Sequence, residues 1–161
     1  MGLRSLLAKD WVLEVDTAVV VGTPVWTKVK GLTSFEESTD DNTEDDGDFD
    51  DEEGWGSSVV TQRTWQIDAE GRRKRTEAAT FTADPGQEAI RKAARKVGFG
   101  ANINVRWYRR DGAPDAYQGV CTVSEFTKGG SSTDLEPFNF TLLGQGAPVE
   151  ISNPIDEEGG A

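Results

Sequence analysis

Histidine is absent from this 161-residue chain, and cysteine and methionine occur once each. Without histidine there is no Ser-His-Asp or Cys-His constellation, and the commonest nitrogen ligand for transition metals is missing. Cys121 stands alone, makes no internal disulfide, and reads as a small buried hydrophobe. No apolar run reaches the 18 or so residues of a spanning helix. The opening MGLRSLLAKDWVLEV has no apolar h-region and no small-residue cleavage site, so secretion by signal peptide is not expected. There is no GxGxxG-type phosphate loop, no CxxC and no internal repeat. Lys and Arg number 17 against 29 Asp and Glu, a net charge of −12, which argues against gripping nucleic acid.

The acidity is concentrated in one place. Glu36 to Gly54, EESTDDNTEDDGDFDDEEG, holds twelve of the 29 acids and no base, and the remaining 17 match the 17 bases. Mutual repulsion and a single large apolar side chain, Phe49, predict an extended, mobile acidic loop here, solvated or awaiting a basic partner. The rest is a balanced chain of a length that fits one domain.

Alternation of apolar and polar residues predicts strands over 11–16 and 25–30. Further strands are expected at 59–68, 75–82, 103–109, 116–126 and 135–143, with a short edge strand near Val149 and Ile151. Asp68 to Gly71 reads as a tight turn. One helix is expected from Asp84 to Gly98, with Asp84 as N-cap, Pro85 at the first position, and Gln87 at capping-box spacing. Its apolar stripe is Ile90, Ala93, Ala94 and Val97. Seven or eight strands and one helix make a mainly β chain, a β-sandwich or barrel with one flanking helix and a long acidic loop. Residues 1–154 form the domain, with 36–54 inserted, and residues 155–161 form a flexible acidic tail.

No catalytic residue, cofactor or metal site is expected. The carboxylates that glycoside hydrolysis needs are crowded into a loop that holds no geometry. Asn42-x-Glu44-x-Asp46-Gly47-Asp48-Phe49-Asp50-x-x-Glu53 matches part of the twelve-residue calcium loop, but Asn42 replaces the first Asp and Glu44 is long for its place. A calcium-binding or surface interaction module is therefore the alternative reading. Trp11, Trp65 and Trp107 sit among aliphatic neighbours and are core candidates, while Trp26 and Trp55 are candidates for an interface.

The order of several motifs resembles one known family. LLAKDWVLEVDT, PVWTKVKGLTSFEES, an acidic stretch ending in Gly54-Trp55, Asp84-Pro85-Gly86-Gln87, NVRWYRRDG and PFNFTLLGQGAP together look like the major tail tube proteins of long non-contractile-tailed bacteriophages, most like those of actinobacterial phages. The resemblance runs to about Pro154. It implies a structural virion protein, six copies to a ring, and rings stacked into a tail tube that delivers the DNA genome. The tape measure protein and the tail terminator and tip proteins are the other implied partners, with DNA passing unbound and no membrane involved. The related type VI secretion tube is a minor alternative. Some relatives carry a further immunoglobulin-like domain, and none is expected at this length.

In such a subunit the charges propose an interface. The acidic side is Asp40, Asp41, Glu44, Asp45, Asp46, Asp48, Asp50 and Asp51, with Phe49 and Trp55 as apolar anchors. The receiving side is the basic run Arg72, Arg73, Lys74 and Arg75 together with the helix face Arg91, Lys92, Arg95 and Lys96.

Overall fold

The computed structural model describes residues 2–19, 22–50 and 54–159. A 3₁₀ turn at Ala8–Asp10 leads into β1 (Trp11–Asp16), followed by β2 (Trp26–Lys28), β3 (Leu32–Asp45) and β4 (Ser58–Gly71). Helix α1 (Pro85–Ala93) and a 3₁₀ turn at Gly98–Ala101 precede β5 (Asn102–Arg109), β6 (Ala116–Thr127), β7 (Asn139–Gly144), β8 (Val149–Glu150) and helix α2 (Pro154–Gly159). The strands form one eight-stranded antiparallel sheet in the order β2-β1-β5-β6-β7-β4-β3, and β8 pairs with β6.

The sheet is rolled, so the chain is mainly β and consistent with a β-sandwich. β1 and β3 are five places apart in strand order, roughly 24 Å on a flat sheet at about 4.8 Å per strand. Yet Trp11 of β1 stacks on Phe35 of β3 with ring centroids 5.4 Å apart. Trp107 of β5 lies 4.9 Å from Trp65 of β4, and its indole Nε1 donates to the Glu37 carboxylate of β3 at 2.7 Å. The inward faces of the strands supply the core: Leu13 and Val15, Trp65, Ile67 and Ala69, Val105 and Trp107, Cys121 and Val123, Phe140 and Leu142. In β1, β4, β5 and β7 these are the faces the alternation marked.

Helix α1 covers the concave side with Ile90 and Ala93. It comes close because Gly86 has no Cβ; one built there would overlap the Lys28 carbonyl. Asp84 is the N-cap and accepts from the Gln87 backbone N–H at 3.2 Å. The Gln87 side chain does not return to Asp84 as a capping box would. Only 2% exposed, it donates to the carbonyls of Lys30 and Arg72 and accepts from the Lys74 N–H.

Five expectations are corrected. The acidic stretch is no loop as far as Asp45: it is the outer half of β3, paired residue by residue to β4. The strand survives its charge because its partners from Ser38 to Asp45 are Gln66, Trp65, Thr64, Arg63, Gln62, Val60, Val59 and Ser58, none of them acidic. Asp68 to Gly71 is strand, not turn; Gly71 is needed because a Cβ would meet the Gly31 carbonyl oxygen at 2.7 Å. Residues 75–82 form no strand but a loop closed by an isolated Arg75–Ala83 bridge, with the Arg75 guanidinium donating to Thr76 O and Ala78 O. The helix stops at Ala93, and Val97, expected in its stripe, is 89% exposed. Pro154–Gly159, expected as frayed tail, is helical, with Ile155 packed on Val12, Tyr108 and Ala116.

Candidate assembly surfaces

The sheet is incomplete at one corner. β4 pairs with β7 only from Gln66 to Ala69. From Thr64 out to Ser58 its sole partner among the described residues is β3, so Ser38–Asp45 and Ser58–Thr64 project as a two-stranded arm with every residue exposed. Such a ribbon is marginal in water by itself. It is held by its ladder, by Arg63 and Asp41 at 3.3 Å, and by Asn42 and Thr61, whose side chains meet at 3.0 Å.

At the tip, carboxylates act as backbone acceptors. Asp45 takes the Gly47 N–H at 2.8 Å and Asp48 takes the Asp50 N–H at 2.9 Å, while Asp46 N–H donates to Ser57 O. Phe49 is fully exposed and Trp55 is 80% exposed. Asp51, with Glu52 and Glu53, lies outside the described residues. Asn42 and Glu44, the first two ligands of the calcium-loop match, are extended and paired to Gln62 and Val59. A calcium loop would have to curl there. No group of three acidic or cysteine side chains among the described residues is placed to hold a metal ion.

The two basic segments are adjoining but partly neutralised. Glu88 joins them, bound to Arg91 at 2.7 Å and lying 3.7 Å from Arg73, which also reaches Glu136 at 3.5 Å. The Arg91 hydrogen bond holds the Glu88 carboxyl below its ordinary range. Arg75 is turned onto its own loop and over Phe81. Lys92, Arg95 and Lys96 are exposed. Among the described residues no ion pair joins the acidic arm to either basic segment.

A second basic region escaped the sequence reading. At the root of the arm, between β1 and the start of β3, lies a cavity of about 430 Å³ walled by Trp11, Leu13, Val29, Leu32 and Phe35. Its lining includes Lys9, Lys28, Lys30 and Arg110, and no Asp or Glu. These cations are scattered in sequence. Pairing of Trp11 with Arg109 brings Lys9 and Arg110 together, and pairing of Glu14 with Lys28 brings in the segment 28–30. Only the Lys28-x-Lys30 spacing hinted at it.

A chain from the tail of an empty gene transfer agent particle, determined with C6 symmetry, superposes with a TM-score of 0.66 at 17% identity, covering 92% of this chain and all of that one. The fold is that of tail proteins. A chain of the native gene transfer agent virion gives a TM-score of 0.66 at 16% identity over 92% of this chain and 100% of that one. The SPP1 tail tube protein gives 0.67 at 14% identity, over 96% of this chain and 84% of that one. No protein-family model and no curated protein matches the chain.

Proposed function

We propose that this protein is a structural subunit of a bacteriophage-type tail tube, assembling as six-membered rings that stack around the channel for the genome. The observation that carries the reading is the hairpin arm, exposed on both faces, on a fold similar to that of tail chains over 92–96% of this chain. An arm that buries nothing in its own subunit gains a role when a neighbour covers it, and an asymmetric contact of that kind generates rings or filaments. The protein acts in the virion tail, as a building element without catalysis or cofactor. Tape measure and tail-end proteins are its further partners, and the motif order points to phages of actinobacteria.

The outward sheet face is suited to line the channel. It presents Ser38, Gln66, Asp68, Thr141, Thr122 and Gln118 before the first cation, Arg106, which is bound to Glu14. Few free cations there means little pairing with phosphates. The test is truncation of the arm. Asp40 and Thr64 are register partners, so Asp41 to Arg63 are replaced by Asn-Gly, a preferred two-residue turn. The truncated chain is expected to fold with an unchanged core and to remain monomeric, while the full chain forms rings or tubes in negative-stain micrographs. A full chain that sediments as a monomer at every concentration, or a truncated one that builds normal tubes, would overturn the reading.

A further inference from the structure

We propose that the cavity at the root of the arm is the socket for the arm tip of the next copy. This rests on the tail tube reading and names the partner surface within it. In a chain of net charge −12, a cavity lined by four cations and no carboxylate is a local inversion of the protein's own charge. Among the described residues, none of Lys9, Lys28, Lys30 and Arg110 takes part in an ion pair. The walls mix polar and apolar surface, and the stacked rings of Trp11 and Phe35 are part of the apolar share. An occupant should therefore be negative at its rim and aromatic at its centre.

The tip of the arm has that composition. Asp45, Asp46, Asp48 and Asp50 flank Phe49 in sequence, Asp45, Asp48 and Trp55 line one hollow with it, and both rings stand in solvent. The volume of about 430 Å³ lies within the roughly 300–1,000 Å³ of clefts that enclose compact ligands. An aromatic anchor in a desolvated pocket with charges at the rim is the arrangement that dominates protein interfaces.

Geometry decides that the occupant comes from another copy. The socket and the tip are opposite ends of β3, whose fourteen residues extend roughly 45 Å at about 3.4 Å each. β3 is paired to β4 along that whole length, so it does not fold back on its own root. Tip into socket is thus a head-to-tail contact, which closes into a ring or continues as a filament. The basic residues 72–75 and 91–96 are less suited, because several of their charges are already bound within the subunit and the cavity beside Lys92 and Lys96 is also lined by the carboxylates Asp16 and Glu88.

The socket and tip can be linked chemically in the assembled protein. Thr33 lines the socket and is exposed, Gly47 lines the tip, and the native Cys121 is buried with its thiol pushed up to about 12 by desolvation. The double variant Thr33→Cys/Gly47→Cys, assembled and then treated with a short bis-maleimide, is expected to give a ladder of covalent oligomers. Either single variant should stop at dimers. Separately, Lys9→Glu/Lys30→Glu and Phe49→Ala should each raise the concentration needed for assembly roughly tenfold to hundredfold, the usual loss at a central anchor, with native circular dichroism.

Assembled double variant that yields no ladder, together with charge-reversed protein that assembles normally, would overturn the socket and leave the tail tube reading standing. A ladder from Leu3→Cys/Thr33→Cys and none from Gly47→Cys/Thr33→Cys would show the N-terminal arm in the cavity and also overturn it. Wild-type protein that never leaves the monomer would remove both.

Discussion

Replacing Gln87 tests how the arm is tied to the body of the protein. Its amide bridges three backbone groups from two segments: the Lys30 carbonyl at 2.7 Å, the Arg72 carbonyl at 2.8 Å and the Lys74 N–H at 2.9 Å. Lys30 lies two residues before the start of β3, and Arg72 follows the end of β4. Gln87→Ala removes all three bonds at a residue only 2% exposed. At about 0.5–1.5 kcal/mol net per bond the loss is roughly 1.5–4.5 kcal/mol. A midpoint near 3 kcal/mol corresponds to a fall in Tm of roughly 6–12 °C for a chain of this size. Gln87→Glu should be no milder at neutral pH. Its carboxylate still accepts from Lys74 but turns negative oxygens toward two carbonyls. Lowering the pH protonates that carboxyl and returns a donor, so the Glu variant should recover part of its stability in acid. Urea unfolding of the three proteins between pH 4 and 8 reads these differences. If Gln87→Ala stays within about 0.5 kcal/mol of wild type, the bridge is not what holds the arm root, and the reasoning fails.

The indole of Trp65 lies on a floor of two glycines: a Cβ at Gly144 would overlap its ring, and one at Gly119 would approach within 2.7 Å. Gly144→Ala should cost roughly 1–3 kcal/mol, stretch the 2.8 Å bond from Trp65 Nε1 to the Gly146 carbonyl, and red-shift tryptophan emission; unchanged stability and emission would refute this packing. The Arg109 hydrogen bond holds the Asp111 carboxyl below its ordinary range. A carboxyl depressed in the folded state contributes stability that is full above the unfolded value near pH 4 and lost as pH falls through the lower folded value. Wild type should thus exceed Asp111→Asn in urea midpoint at pH 6 and lose that advantage toward pH 2. A gap that does not change with pH would disprove the linkage.

The sequence alone determined the rolled sheet's inward faces and the helix start. Alternation put Leu13 and Val15, Trp65 and Ile67, Val105 and Trp107, and Phe140 and Leu142 on one side, because a period of two admits one buried face per strand. Asp84-Pro85 carried its own start signal in local chemistry, and the buried state of Cys121 followed from its lack of a partner. Burial and capping are decided within a few residues, so they can be read there.

Three features were decided only by the tertiary structure. Local charge repulsion predicted a loop over 36–54, but from Ser38 to Asp45 the loop lost to a ladder with Ser58–Gln66, whose uncharged side chains and Arg63 make acceptable cross-strand neighbours. The turn expected at Gly71 gave way because that glycine serves a close approach to Gly31 rather than a reversal. The basic cavity is assembled from residues near positions 9, 28–30 and 110, which only strand pairing brings to one place. A cluster of that kind has no spacing in the chain; it exists because antiparallel neighbours convert distance along the sequence into contact across the sheet.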